Sequence, residues 1–156
     1  MAKFSIDEVI EQAVQTEKLG FEFYTAMSLK FGENAKLKKL FNTLALKERV
    51  HEQRFAELKE ITKGEAIENP GEVSAYLRAI VESKFFLGKH KSLPSLGRVK
   101  TVEDAVGFAM GFEKETMLYF YAIRDMVQEQ DVVDEIINEE KSHIMWLARF
   151  RDSLAK

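Results

Sequence analysis

Two short motifs with the same spacing place charged residues inside apolar helical stripes, and they constrain the fold more than any other feature of the chain. Glu48 and His51 lie three residues apart in such a stripe, and Glu140 and His143 repeat the spacing. Residues three apart on an α-helix point in the same direction, one above the other. Each motif can therefore direct a carboxylate and an imidazole at one point inside a helical bundle.

A single carboxylate, Glu17 or Glu113, occupies the apolar stripe of each of two further predicted helices. Residues equidistant from the turn of an antiparallel helix pair are level with each other. The midpoint of Glu17 and Glu48 falls at a predicted turn, and the midpoint of Glu113 and Glu140 lies close to one. The second motif follows the first after 92 residues, and Glu113 follows Glu17 after 96. The chain therefore resembles two copies of one hairpin, with two half-sites about a pseudo-twofold axis.

Four carboxylates in one core would repel each other, and each would cost several kcal/mol to desolvate. Two divalent cations supply four compensating charges, and carboxylate with imidazole suits iron or manganese, while zinc is compatible but redox-silent. For one motif alone, an ordinary surface or satisfied core position is the simpler interpretation. The common register of the two Glu-x-x-His motifs and the two single carboxylates favours a metal pair, with Glu48 and Glu140 as bridging ligands. The predicted ligands are Glu17, Glu48, His51, Glu113, Glu140 and His143.

The periodicity predicts an all-α fold, a ferritin-like antiparallel four-helix bundle with a long crossover containing a short helix. We expect a single domain spanning residues 1–156. Its long helices are predicted at about 6–30, 35–62, 102–127 and 132–154, with the crossover at 63–100. Within the crossover, the apolar piece from Val73 to Leu87 predicts the short helix, starting near Asn69-Pro70, and Lys89 to Lys100 predicts a loop.

Composition excludes several other classes of protein. The formal charge of −3, with acidic and basic residues mixed throughout, argues against a nucleic-acid partner or a membrane-binding surface. No apolar run approaches the length of a membrane span, and no signal-peptide core is present, so we expect a cytoplasmic protein. The absence of Cys excludes disulfides, thiolate metal sites and iron–sulfur clusters.

The order Glu, Glu-x-x-His, Glu, Glu-x-x-His with a long crossover resembles the ferritin-like di-iron carboxylate superfamily, most closely its rubrerythrin-like branch. The resemblance covers nearly the whole chain and implies two iron ions and redox chemistry with hydrogen peroxide or oxygen. Rubrerythrins typically carry an extra Glu one turn after the ligand of the third long helix, where this chain has Thr116. Many also append a cysteine-ligated rubredoxin module, absent here. The six-residue set is also similar to the symmetric site of bacterioferritin.

The resemblance implies an oxidoreductase of oxidative-stress defence that reduces hydrogen peroxide, or oxygen, with electrons from an external donor such as a rubredoxin. The external donor follows from the absence of Cys and of a glycine-rich dinucleotide fingerprint. Two alternatives stay open: a ferroxidase or iron-handling protein, and a non-enzymatic helical protein with a structural metal pair. Because bundles of this kind commonly pair, we also expect a homodimer.

Residues around the motifs give weaker predictions. Tyr24 lies two turns after Glu17 on the same stripe, where rubrerythrin-like proteins have a Tyr that donates a hydrogen bond to a ligand carboxylate; simple packing is the alternative. Gly20 leaves room beside the metals or only permits close helix packing. Packing roles are expected for Tyr119, Tyr121 and Trp146, and a solvated loop position for His90. Solvent-facing positions are expected for Glu22, Glu52, Glu115 and Glu139.

Overall fold

A computed structural model describes residues 5–67, 70–81 and 96–155, which form an all-α bundle as predicted. The helices are α1 (Ile6–Lys30), α2 (Ala35–Ile61), a short α3 (Pro70–Val81), α4 (Val102–Met126) and α5 (Gln130–Leu154). A 3₁₀ turn, Leu96–Arg98, precedes α4. None of the described helices is both long and apolar enough to cross a lipid bilayer.

Side-chain caps fix where three of the long helices begin. The hydroxyl of Ser5 and the side-chain oxygen of Asn34 each accept a backbone N–H three residues further on. Thr101 and Asp104 form a complete capping box, in which each side chain accepts the backbone N–H of the other residue. These bonds satisfy amide groups that a helix start leaves unpaired. They place α1, α2 and α4 where the sequence predicts them.

The predicted helix ends agree with the structure to within two residues, the usual uncertainty of helix termini. α2 ends at Ile61 and α4 at Met126, each one residue early. α5 begins at Gln130, two residues before the predicted start. The side-chain amide of Gln130 donates to the carbonyl of Arg124, and this bond tightens the short connection between the two helices.

The crossover contains the predicted short helix, with its proline in the first turn. Residues 82–87 of the apolar piece, like Asn69, lie outside the described part of the chain. The prediction of a loop from Lys89 to Lys100 is wrong for Leu96–Arg98, which form a 3₁₀ turn, while residues 89–95 are not described. The turn leads into Val99, which is buried and whose carbonyl accepts a hydrogen bond from Lys30. This anchor on the end of α1 accounts for the ordered turn.

Two apolar clusters fill the ends of the bundle and leave a polar layer between them. The first apolar cluster joins the start of α1, the ends of α2 and α4, and the start of α5; it includes Val9, Phe55, Phe120 and Ile136. The second apolar cluster joins the opposite ends of the same helices; it includes Phe23, Phe41, Phe112 and Leu147. α1 is therefore antiparallel to α2 and α4, and α2 is antiparallel to α5.

Candidate metal centre

The six predicted ligands lie in the middle turns of the four long helices and meet in the polar layer between the apolar clusters. α1 and α4 contribute one carboxylate each, and α2 and α5 contribute one Glu-x-x-His motif each. All six side chains are completely buried: Glu17, Glu48, His51, Glu113, Glu140 and His143. The structure thus brings together every residue that the sequence analysis singled out as a ligand, while ligation itself stays a prediction.

These side chains form two overlapping groups with the composition of metal sites. In each group, one potential ligand atom per residue lies within 4.8 Å of all the others. One group is Glu17, Glu48, His51 and Glu140, and the other is Glu48, Glu113, Glu140 and His143. Glu48 and Glu140 belong to both groups. This sharing is what bridging ligands would require, and the bridging role itself stays a prediction.

Both histidines turn Nδ1 toward carboxylates. Nδ1 of His51 lies 2.8 Å from Oε1 of Glu140 and 3.6 Å from Oε1 of Glu17. Nδ1 of His143 lies 3.3 Å from Oε2 of Glu140 and 3.5 Å from Oε1 of Glu113. The two imidazole rings are stacked, with centroids 5.6 Å apart and planes at 18°. Each group of carboxylates therefore has one imidazole nitrogen beside it.

Many polar atoms of this layer have no hydrogen-bond partner among the described residues. They are both carboxylate oxygens of Glu17 and Glu48, Oε2 of Glu113 and of Glu140, and both ring nitrogens of His143. Buried polar atoms are rarely left in this condition, and each costs about 1–3 kcal/mol. Two divalent cations fit the donors present, because four carboxylates balance their charge and neutral imidazoles complete the ligand set.

The pKa values of the cluster show the same need for positive charge. Burial, reinforced by repulsion from Glu140, raises the pKa of both Glu17 and Glu113 to about 8. Burial alone would lower the pKa of His51, but its hydrogen bond to Glu140 and the nearby carboxylate of Glu17 raise it to about 11. Protons on these groups thus offset the carboxylate charge at neutral pH, a role that metal ions would take over.

Tyr24 connects the second apolar cluster to the candidate centre. Its hydroxyl donates a 2.6 Å hydrogen bond to Oε1 of Glu113. Burial, followed by the charge of Glu113, raises the pKa of Tyr24 well above its usual range, so the hydroxyl remains a donor. Its ring packs edge-on against Phe41 at a centroid distance of 5.1 Å. Both roles considered for this residue, hydrogen-bond donor and packing residue, are present.

Glu139 does not simply face solvent, and the prediction for it needs correction. Its Oε2 contacts Nε2 of His51, on the side of the ring away from the other carboxylates, while 39% of its side chain stays exposed. Arg54 lies 3.8 Å from its other oxygen. The apolar stripe could not reveal this contact because Glu139 lies beside the stripe of α5. The antiparallel register of α2 and α5 makes His51 and Glu139 level, and this register could have predicted the contact.

Gly20 is one turn after Glu17 and faces the centre. A Cβ atom at this position would lie 3.0 Å from Cε1 of Phe112 and 3.2 Å from Oε2 of Glu48. Both distances are shorter than ordinary van der Waals contact. The missing side chain thus leaves room for a shared carboxylate and also permits close packing against α4.

The remaining predictions have mixed outcomes. Glu22 is exposed as expected, whereas Glu52 and Glu115 are partly buried. Three aromatic residues pack as expected: Tyr119 donates to the carbonyl of Val9, Tyr121 lies beneath Lys141, and Trp146 lies 5.5 Å from the ring of His143. Thr116 is completely buried, and its hydroxyl has no partner within the described ranges. His90 lies outside the described residues.

Comparisons with known proteins agree with this architecture. A Thermotoga maritima protein, provisionally described as a ferritin-like diiron-carboxylate protein, has a similar fold, with a TM-score of 0.71 over 97% of each chain at 23% sequence identity. No curated protein sequence matches the chain. The sequence model of the rubrerythrin family matches residues 8–151, almost the whole chain. The chain therefore belongs to the rubrerythrin family.

Proposed function

We propose that the protein is a non-haem di-iron carboxylate oxidoreductase that reduces hydrogen peroxide, or oxygen, with electrons from an external donor. One observation carries the proposal: buried donors from four helices form two overlapping four-residue groups that share two carboxylates. Such a set suits a pair of ions joined by bridging ligands. Membership of the rubrerythrin family supports iron as the metal.

The chain contributes placement and insulation to this chemistry. The six donors project from the middle of rigid helices, so their positions depend on helix packing rather than on loops. The two apolar clusters lie on either side of the polar layer and keep bulk water away, which strengthens electrostatic interactions within it. Tyr24 holds one oxygen of Glu113, while Oε2 of that residue has no partner in the described structure and is available as a ligand atom.

When bound, two iron(II) ions supply the two electrons that, with two protons from solvent, convert hydrogen peroxide into two water molecules and leave both ions as iron(III). Each later turnover therefore needs two electrons from outside the centre. The chain contains no Cys and so offers neither a thiol pair nor a thiolate iron site of its own. A separate rubredoxin or a similar carrier is the proposed donor.

A ferroxidase, which oxidises iron with oxygen, is the second candidate. The observation that favours it is Thr116, a buried residue one turn after Glu113. Rubrerythrins typically have an additional Glu at this point. Without that carboxylate, the proposed ligand set is similar to the symmetric site of bacterioferritin.

Stopped-flow oxidation distinguishes these functions. The protein is loaded anaerobically with two iron(II) ions per chain and mixed with either hydrogen peroxide or oxygen. We expect faster oxidation by peroxide, with one turnover per centre and then a stall that reduced rubredoxin relieves. Faster oxidation by oxygen, with ferric mineral under excess iron, would assign a ferroxidase. No oxidation by either would leave a structural metal pair. Glu48→Ala, which removes a shared carboxylate, is the control expected to abolish the reaction.

We also propose that the protein forms a homodimer. Leu46 and Val50 are apolar side chains one turn apart on the outer face of α2, with exposures of 67% and 47%. Contact with a second copy through this face would bury both side chains and remove their apolar surface from water. Light scattering that gives the mass of a monomer or of a large cage would contradict the dimer.

A further inference from the structure

The two histidines of the candidate centre have different surroundings, although the motifs that carry them are the same. Nε2 of His51 contacts Oε2 of Glu139. Within the described residues, Nε2 of His143 has no hydrogen-bond partner, and its ring lies against Trp146 with centroids 5.5 Å apart. The two halves of the centre thus have matching proposed ligands but differ in what holds each imidazole.

The register of α2 and α5 shows which residue takes the place of a second Glu139. His51 and Glu139 face each other across these antiparallel helices. One turn along, four residues before His51 and four residues after Glu139, the same register makes Lys47 level with His143. An ammonium group has no acceptor for an imidazole N–H. Lys47 therefore cannot do for His143 what Glu139 does for His51.

A carboxylate behind an imidazole improves the imidazole as a metal ligand. When a metal displaces the Nδ1 proton of His51, Glu139 accepts the remaining N–H at Nε2 and so keeps the lone pair on Nδ1, the atom that faces Glu17 and Glu140. The same contact fixes the ring orientation and raises the basicity of Nδ1. Arg54 pairs with Glu139 and so restrains the carboxylate in turn.

We propose that the centre is asymmetric: Glu139 makes the position at His51 the tighter and first-filled metal site, and the position at His143 is the weaker one. Glu139 is a positioning residue, since it acts through His51 and not on the metal. The inference rests on the proposed function in requiring a two-metal centre. It does not depend on which oxidant reacts there.

Nitrogen-15 NMR of histidine-labelled protein tests the order of filling directly, because the chain contains only three histidines. Zinc(II), a redox-silent probe, is added stepwise to the metal-free full-length protein, with His143→Gln used to assign the signals. We expect the first equivalent to move the Nδ1 signal of His51 to a metal-bound shift and the second to move that of His143. Movement of both signals together, or of His143 first, would overturn the proposal.

Glu139→Gln tests the cause of the asymmetry, since it removes the charge and keeps the size of the side chain. We expect about 10–100-fold weaker binding of the first zinc ion and loss of the filling order. Glu135→Gln is the matched control, because Glu135 pairs with the same Arg54 and has no contact with His51 in the structure. Equal zinc binding by these two variants would refute the role of Glu139.

Lys47→Glu is the converse test, because it places a carboxylate level with His143. We expect roughly tenfold tighter binding of the second zinc ion, the gain that a new outer partner brings. Thermal melting of each metal-free variant checks that the fold is unchanged. Unchanged binding of the second ion by a folded Lys47→Glu variant would count against the proposal.

Failure of the proposed function would give a different result. If no histidine signal moves in excess zinc, the chain has no metal centre of the proposed kind. If two ions bind in an order that ignores Glu139, the centre stands and the asymmetry does not.

Discussion

The polar layer in the middle of the bundle and the apolar clusters at its ends are built on opposite principles. In the first apolar cluster, side chains such as Phe55 and Phe120 are fully buried and in contact, with ring centroids 4.7 Å apart. In the polar layer, side chains such as Glu17 and Glu48 are equally buried but have carboxylate oxygens without partners among the described residues. The ends therefore stabilise the fold, whereas the unpartnered polar atoms of the middle lower its stability, a cost that bound cations would offset.

Metal loading is expected to change the free energy of unfolding more than any of the substitutions below, and the gain arises in the polar layer. A metal ion that binds the folded chain and not the unfolded chain stabilises the fold. The gain is about 4 kcal/mol for each ion when its free concentration is a thousandfold above its dissociation constant. Denaturant unfolding with and without saturating zinc(II) measures the difference. Glu48→Ala should lose most of this gain because Glu48 belongs to both groups. Equal stability of the loaded and metal-free forms would remove the distinction between middle and ends.

Phe120→Ala probes the first apolar cluster. Truncation of this fully buried ring should cost about 3–5 kcal/mol, because it leaves a cavity against Phe55. The cost should be the same with and without metal, since the ring lies outside the polar layer. Leu29→Ala is the control, because Leu29 is 76% exposed. A loss for Phe120→Ala that appears only in the loaded form would show that the cluster and the centre are not separate.

Gly20→Ala tests the boundary between the two regions. The added methyl group would press on Phe112 and on Oε2 of Glu48, so we expect a loss of about 1–3 kcal/mol and weaker metal binding. Gly107→Ala is a matched control in α4, because an added Cβ there meets none of the described side chains or neighbouring helices within 4 Å. This control should raise stability by up to about 1 kcal/mol through helix propensity. Calorimetric melting and zinc titration of both variants give the comparison.

Two tyrosines provide the finest comparison, since each donates one buried hydrogen bond in a different region. Tyr24 bonds to Glu113 in the polar layer, and Tyr119 bonds to the carbonyl of Val9 at the end of the bundle. Replacement of either by Phe should cost about 0.5–1.5 kcal/mol of stability. Only Tyr24→Phe should also weaken metal binding, by about tenfold. An equal effect of both variants on zinc affinity would contradict a positioning role for Tyr24.

Apolar periodicity explains how much of this molecule the sequence could predict. A stripe at helical spacing defines both the helix and the face that it buries, so a charged residue within a stripe, such as Glu17 or Glu113, is recognisable as a buried charge. The antiparallel pairing then follows from the positions of the turns. The six candidate ligands and the bundle were therefore accessible without coordinates.

The features that were missed depend on contacts between helices or on short-range anchors. Glu139 lies beside its stripe, and its contact with His51 depends on how α2 and α5 are rotated against each other. The tight turn Leu96–Arg98 depends on the anchoring of Val99 against α1, which no periodic pattern encodes. Periodicity specifies which face of a helix is buried, but it does not specify the neighbours of residues at the edge of that face.

The sharing of Glu48 and Glu140 makes each hairpin self-complementary. The α1–α2 hairpin supplies three residues of one group, and one of them, Glu48, also belongs to the other group. The α4–α5 hairpin supplies three residues of the second group, and one of them, Glu140, also belongs to the first. A single ancestral hairpin that paired with its own copy about a twofold axis would already assemble both groups. Gene duplication and fusion would then only have to join two hairpins that already associated as separate chains.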